Sequence, residues 1–104
     1  MLVSTTETIE GKRIVSVVGM VRGNTVRARA IGRDIMAGLR SIAGGEIPEY
    51  TNLMSQARDE AVERMSRTAE QMGANAIVGA RFTTSGIMNG ASEILAYGTA
   101  VVVE

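Results

Sequence analysis

The sequence contains no cysteine and no histidine among its 104 residues. The first absence excludes disulfides, iron–sulfur clusters, thiolate zinc sites and cysteine nucleophiles. The second removes the side chain that most often serves as general base, proton shuttle or transition-metal ligand near neutral pH. Aromatic residues are scarce, and one Phe with two Tyr leaves little surface for stacking bases, so no nucleic-acid partner is expected. Lys12 is the only lysine, and neither a Gly-x-Gly-x-x-Gly fingerprint nor a phosphate loop with its lysine is present. No apolar run approaches the ~20 residues that span a bilayer. The opening Met1-Leu2-Val3-Ser4-Thr5-Thr6-Glu7 has neither a basic region nor an apolar signal core. A cytoplasmic protein without a membrane partner is the expectation.

What is present suits one small globular domain, residues 1–104. The chain is 45% apolar, enough for a modest core without help from disulfides or metal. Eleven basic and eleven acidic residues cancel, but unevenly along the chain. Residues 1–45 hold seven basic side chains against three acidic ones, and the remainder carries the opposite excess. Folding either mixes these charges on one surface or leaves a basic patch on one copy to meet an acidic patch on the next.

Residues 13–22 are dominated by Ile14, Val15, Val17, Val18, Met20 and Val21, a strand composition. Gly23-Asn24 then reads either as a hairpin turn or as a bulge in one longer strand reaching Arg29. From Ala30 the period changes, with Ile31, Ile35, Leu39 and Ile42 at helical spacing and Gly44-Gly45 as the stop. A second helix begins at Pro48, whose fixed φ suits a first helical position, and ends at Gly73. Tyr50, Met54, Ala57, Ala61, Met65, Ala69 and Met72 fall on one face of it; Gln56, Asp59, Glu63, Arg67 and Glu70 fall opposite. Glu60 with Arg64 and Glu63 with Arg67 are i,i+4 pairs in the favoured order. Two further strands, 76–84 and 92–103, are joined by residues 85–91.

The last strand is apolar on both sides. One face reads Ile94, Ala96, Gly98, Ala100, Val102 and the other Leu95, Tyr97, Thr99, Val101, Val103. Such composition means cover on both faces, yet two helices of this length shelter one face of a small sheet. A second copy of the chain is the simplest cover, since monomers tolerate only a few hundred Å2 of apolar patch. The expected partner is therefore the protein itself, as a homo-oligomer.

Several segments together resemble the YbjQ-like family of uncharacterised small proteins described as "putative heavy-metal-binding". The matching residues are Thr5-Thr6, Glu10-Gly11, Ile14, Gly19, Val21, Gly23, Arg33-Asp34, Gly38, Ile42, Gly44-Gly45, Tyr50, Ala57-Arg58, the run from Gly73 through Asn75 to Gly79, and Gly98-Thr99-Ala100-Val101. The resemblance covers nearly the whole chain. It implies an α+β fold with a β-α-β-β type antiparallel sheet packed by two helices, a dodecin-like subunit, and a ring, five copies being the expected number. The chain departs from the family after Gly79, where carboxylates are usual and Arg81-Phe82-Thr83-Thr84 stands instead, and at Val26-Arg27-Ala28-Arg29. A ligand site built on those positions in relatives does not transfer.

The donor set argues against a soft metal, because seven methionines and eleven carboxylates replace thiolate and imidazole. Met54, Met65 and Met72 lie on the apolar helix stripe as core filler. No cofactor and no metal ligand are assigned. Nucleophile-and-base arrangements are hard to assemble from Tyr50, Tyr97, Asp34 and Arg58, so a non-enzymatic role is expected. Asp34 and Arg58 sit near the edges of their apolar stripes, either as a partly buried structural or interface ion pair or with Arg58 snorkelling to water. A ring acting as scaffold or small-ligand container is the leading reading, followed by a metal-handling protein and then by an enzyme with an inter-subunit site.

Overall fold

The computed structural model describes residues 1–28 and 48–104. Four strands and one helix occur there: β1 (Leu2–Val3), β2 (Ile14–Ala28), α1 (Pro48–Gln71), β3 (Ala76–Met88) and β4 (Ala91–Val103). The strands form one sheet in the order β1-β3-β4-β2. The class is α+β, as expected, but the sheet is mixed rather than antiparallel: β1 runs parallel to β3, while β4 is antiparallel to both β3 and β2. Two residues of β1 are too short to show the alternation by which strands are read from sequence. The helix expected from Ala30 to Ile42 lies outside the described residues.

Gly23-Asn24 is neither a turn nor a bulge. Strand β2 runs through it in unbroken register, Gly23 opposite Ala96 and Asn24 opposite Leu95, and its two irregularities lie earlier, between Ile14 and Ser16 and between Val17 and Gly19. The reason for the glycine is steric. A Cβ there would come within 2.3 Å of the Ala61 carbonyl oxygen and 2.4 Å of the Met65 nitrogen, so the α1 backbone rests directly on the strand. Residues 85–91 are likewise mostly strand, β3 continuing to Met88 and β4 starting at Ala91, with Asn89-Gly90 between them. That dipeptide is a strong hairpin signal, and its flanks Ile87-Met88 and Ala91 belong to the strands it joins.

Helix α1 follows its pattern closely. Met54, Ala57, Ala61, Met65 and Ala69 are buried, joining Val21 of β2, Ile77 and Ala80 of β3, and Ile94, Ala96 and Ala100 of β4 in one core. Met72 departs from the stripe and is exposed. Thr25, also buried on this face, donates its hydroxyl to the Ala57 carbonyl (3.1 Å), which removes the cost of burying it. The helix ends where Gly73 adopts φ 90°. The Gly73 N–H donates to the Glu70 carbonyl (3.0 Å) and the Ala74 N–H to the Ala69 carbonyl (3.0 Å), the paired bonds of a Schellman motif.

The second sheet face has cover that the sequence pattern did not disclose. Because β1 and β2 lie on opposite sides of the β3–β4 pair, residues 4–13 must cross the sheet. That segment begins along β3, where Ser4 N–H donates to the Ile77 carbonyl and Gly79 and Ala80 donate to Thr6 and Ser4. It ends at β2 with a reciprocal backbone pair between Arg13 and Glu104. Ile9 and Ile14 pack on Ala76, Val78, Val101 and Val103, a second small core on the side away from α1.

Candidate functional site

The family-motif positions shape backbone rather than gather reactive groups. Asn75, Gly79, Gly98 and Thr99 meet where β3 pairs with β4. The Asn75 amide donates to the Val103 carbonyl (2.9 Å) and its Oδ1 accepts from the Val103 N–H (2.8 Å), so the side chain continues the ladder past the strand end. Gly79, at φ 62°, lies in a bulge between Val78 and Arg81. A Cβ on Gly98 would meet Ile77 Cγ2 at 2.8 Å. Thr99 is half-buried between Met20 and Val78 in register. Tyr50 lies in the first turn of α1. Asp34, Gly44 and Gly45 lie outside the described residues. Arg58 is exposed on α1 and has no ion-pair partner among the described residues.

Beyond the patch under Ile9, no described element covers the sheet face opposite α1. In register across β2, β4 and β3 it presents Met20–Thr99–Val78, Arg22–Tyr97–Arg81, Asn24–Leu95–Thr83 and Val26–Glu93–Ser85. Val17 is 67% exposed and Met20 73%, with Val26 and Tyr97 also open. Among the described residues β2 is paired along one side only, and β3 from Arg81 to Met88 is exposed throughout. Long unprotected edges of this kind pair readily with another chain.

The strongest local electrostatics lies on the other side of the molecule. Glu60 of α1 accepts from Arg27 of β2 and from Arg64 one turn along the helix, tying helix to sheet. Donation from Arg27 holds the Glu60 carboxyl below its ordinary range, against the opposing effect of desolvation and with help from Arg64. Arg64 also donates to the Asn24 carbonyl (2.6 Å). Both i,i+4 pairs expected on the helix are formed. The Arg27 contact was not legible, since it joins residues 33 apart in sequence.

The side chains present do not fit a soft heavy metal. The chain has no thiolate or imidazole to offer. Among the described residues no three carboxylates cluster as a hard-ion site would need. Among the described residues the methionines are dispersed: Met1 at the N-terminus, Met54 and Met65 in the core, Met20 on the open sheet face, Met72 just past α1 beside Gly19 and Met88 at the hairpin tip. Among the described residues no helix is long and apolar enough to cross a membrane.

Comparison with known proteins gives one consistent result. A family model described as "Putative heavy-metal-binding" matches residues 1–104. A UPF0145 protein of Dehalococcoides mccartyi is 55% identical over 104 residues, covering the whole of both chains. Another, from Psychromonas ingrahamii, is 60% identical over 101 residues, covering 97% of this chain and 96% of its own. A third, from the archaeon Methanosarcina acetivorans, is 54% identical over 101 residues, covering 97% of this chain and 95% of its own. Among solved structures, a crystal structure of a DUF74-family protein of unknown function from Pediococcus pentosaceus superposes with a TM-score of 0.67. At 20% identity, over 100% of this chain and 98% of that one, it shares the fold.

Proposed function

We propose, because this chain belongs to the YbjQ family and, among the described residues, exposes large apolar side chains on the sheet face away from α1, that it works as a homo-oligomeric ring serving as a scaffold or small-ligand container. Five copies is the number the family resemblance suggests, with each protomer a dodecin-like subunit. The observation that carries the reading is the exposure of Val17, Met20, Val26 and Tyr97 on the sheet face away from α1. Burying such side chains is worth roughly 25 cal/mol per Å2, so leaving them in water forfeits several kcal/mol per protomer. The free edges of β2 and distal β3 differ from one another, and contacts between unlike surfaces close into rings when the rotation permits.

The absence of histidine and cysteine supports a non-catalytic role. Light scattering on the purified chain tests the proposal directly. A particle several times the 11.0 kDa of one protomer is expected. Met20→Glu should dissociate it with helical circular dichroism retained, because a carboxylate in a seam would be buried unpaired. A stable 11.0 kDa species at micromolar concentration removes the proposal.

A further inference from the structure

On the α1 side of the sheet, an apolar cleft of about 130 Å3 lies between the N-terminal segment, α1 and the edge of β3. Val62 and Met65 of α1, Ala80 and Phe82 of β3, Val3 and Ala96 line it. Met65 and Ala96 are buried at its base, whereas Phe82 is 51% exposed at its rim. A cavity of roughly 150 Å3 walled by such side chains stays dry and accepts benzene. The cleft is therefore sized for one small ring or a short branched chain.

One cation borders it. Arg81 starts from the opposite face, across from Tyr97, and reaches the β3 edge, where its Nη1 donates to the carbonyl of Thr5, which also borders the cleft (2.8 Å), and to the Ala80 carbonyl (2.8 Å). These bonds hold the guanidinium against the N-terminal segment and leave Nε and Nη2 without a protein acceptor among the described residues. Both partners are neutral, and among the described residues no carboxylate pairs with Arg81. A guanidinium fork matches a carboxylate in geometry and charge. An apolar hollow with one fixed polar group at its entrance has the make-up of a small-molecule site. By contrast, the depression along the outer surface of α1 is lined by Glu60, Glu63, Arg64 and Arg67, whose charges already satisfy one another.

We propose that this cleft binds a small apolar carboxylate, with the hydrocarbon part against Met65 and Ala96 and the carboxylate on Arg81. The site lies within one protomer and goes beyond the ring reading. It does not require assembly.

Calorimetric titration of the full chain with sodium benzoate, at ionic strength held constant with sodium chloride, tests it. One saturable benzoate per protomer is expected, with benzamide, the neutral isostere, at least about tenfold weaker. Arg81→Gln should weaken benzoate by a similar factor in protein whose circular dichroism shows it folded. Val62→Phe, which fills the cleft and leaves Arg81 in place, should abolish binding. Benzoate no tighter than benzamide, or undiminished binding by folded Arg81→Gln, overturns the proposal. So does the absence of saturable binding, including the case in which a neighbouring copy's side chain occupies the cleft. If Val62→Phe fails to fold, the exposed Arg81 substitution decides alone. Light scattering on the same sample separates the two readings: benzoate binding by an 11.0 kDa species keeps the cleft and removes the ring, and a ring without binding does the reverse.

Discussion

The two faces of β4 carry similar side chains and meet different surroundings. On one, Ile94, Ala96 and Ala100 are buried beneath α1, packed with Ala57, Ala61 and Ala69 of the helix. On the other, Val101 and Val103 are sheltered by Ile9 and Ile14, while Tyr97 is exposed. Apolar composition therefore states that a face needs cover without saying what supplies it. A regular helix does so on one side, and an irregular crossing segment does part of the work on the other.

The largest test of this contrast is Gly23→Val. The helix backbone occupies the space a side chain would need, and neither partner can move without opening the core. Urea unfolding should show a loss of at least about 3 kcal/mol, or no folded protein. A loss below 1 kcal/mol would mean that α1 does not rest on β2 as described.

A smaller contrast separates the two cores. Met65→Ala, at a fully buried position, should cost about 2–5 kcal/mol. Ile9→Ala, at a half-buried one, should cost about 1 kcal/mol. Equal costs would show that the crossing segment is as integral to the fold as the helix.

The smallest effect concerns the charged tie between helix and sheet. Glu60 titrates below its ordinary value of 4.5 in the folded protein, so folded chains hold its proton less tightly than unfolded ones. Its contribution is present in full above that ordinary value and is lost as pH falls through the lower folded one. The stability gap between wild type and Glu60→Gln should be widest near neutral pH and close in acid. Added salt should narrow it, because the group is partly exposed. A gap that widened below pH 4.5 would contradict the assigned direction.

Helix α1 was legible almost residue by residue. Pro48, the stripe from Met54 to Ala69, the two Glu–Arg pairs and Gly73 are all local signals, and each has its expected place. Strand β1 was not legible, because two residues carry no period. Gly23-Asn24 was legible only in part: one longer strand was among its readings and β2 does run on to Ala28, but a glycine required by a helix residue 38 positions on looks the same as one required by a turn or a bulge. In the candidate cleft, Arg81-Phe82 stood out as a departure from the family pattern. Its pairing with Thr5 joins residues 76 apart and could not be read from order alone.

Residue order was enough for the class of the fold, for the helix and its boundaries, for the apolar composition of both sides of β4, and for the exclusion of thiolate and imidazole chemistry. Those properties follow from residue identity and short-range periodicity. Only the tertiary structure decided which glycine admits the helix, which segment crosses the second face, and where Arg81 stands relative to an apolar hollow. Each depends on the distance between residues far apart in the chain, and that distance is set by packing and hydrogen bonding across the whole sheet.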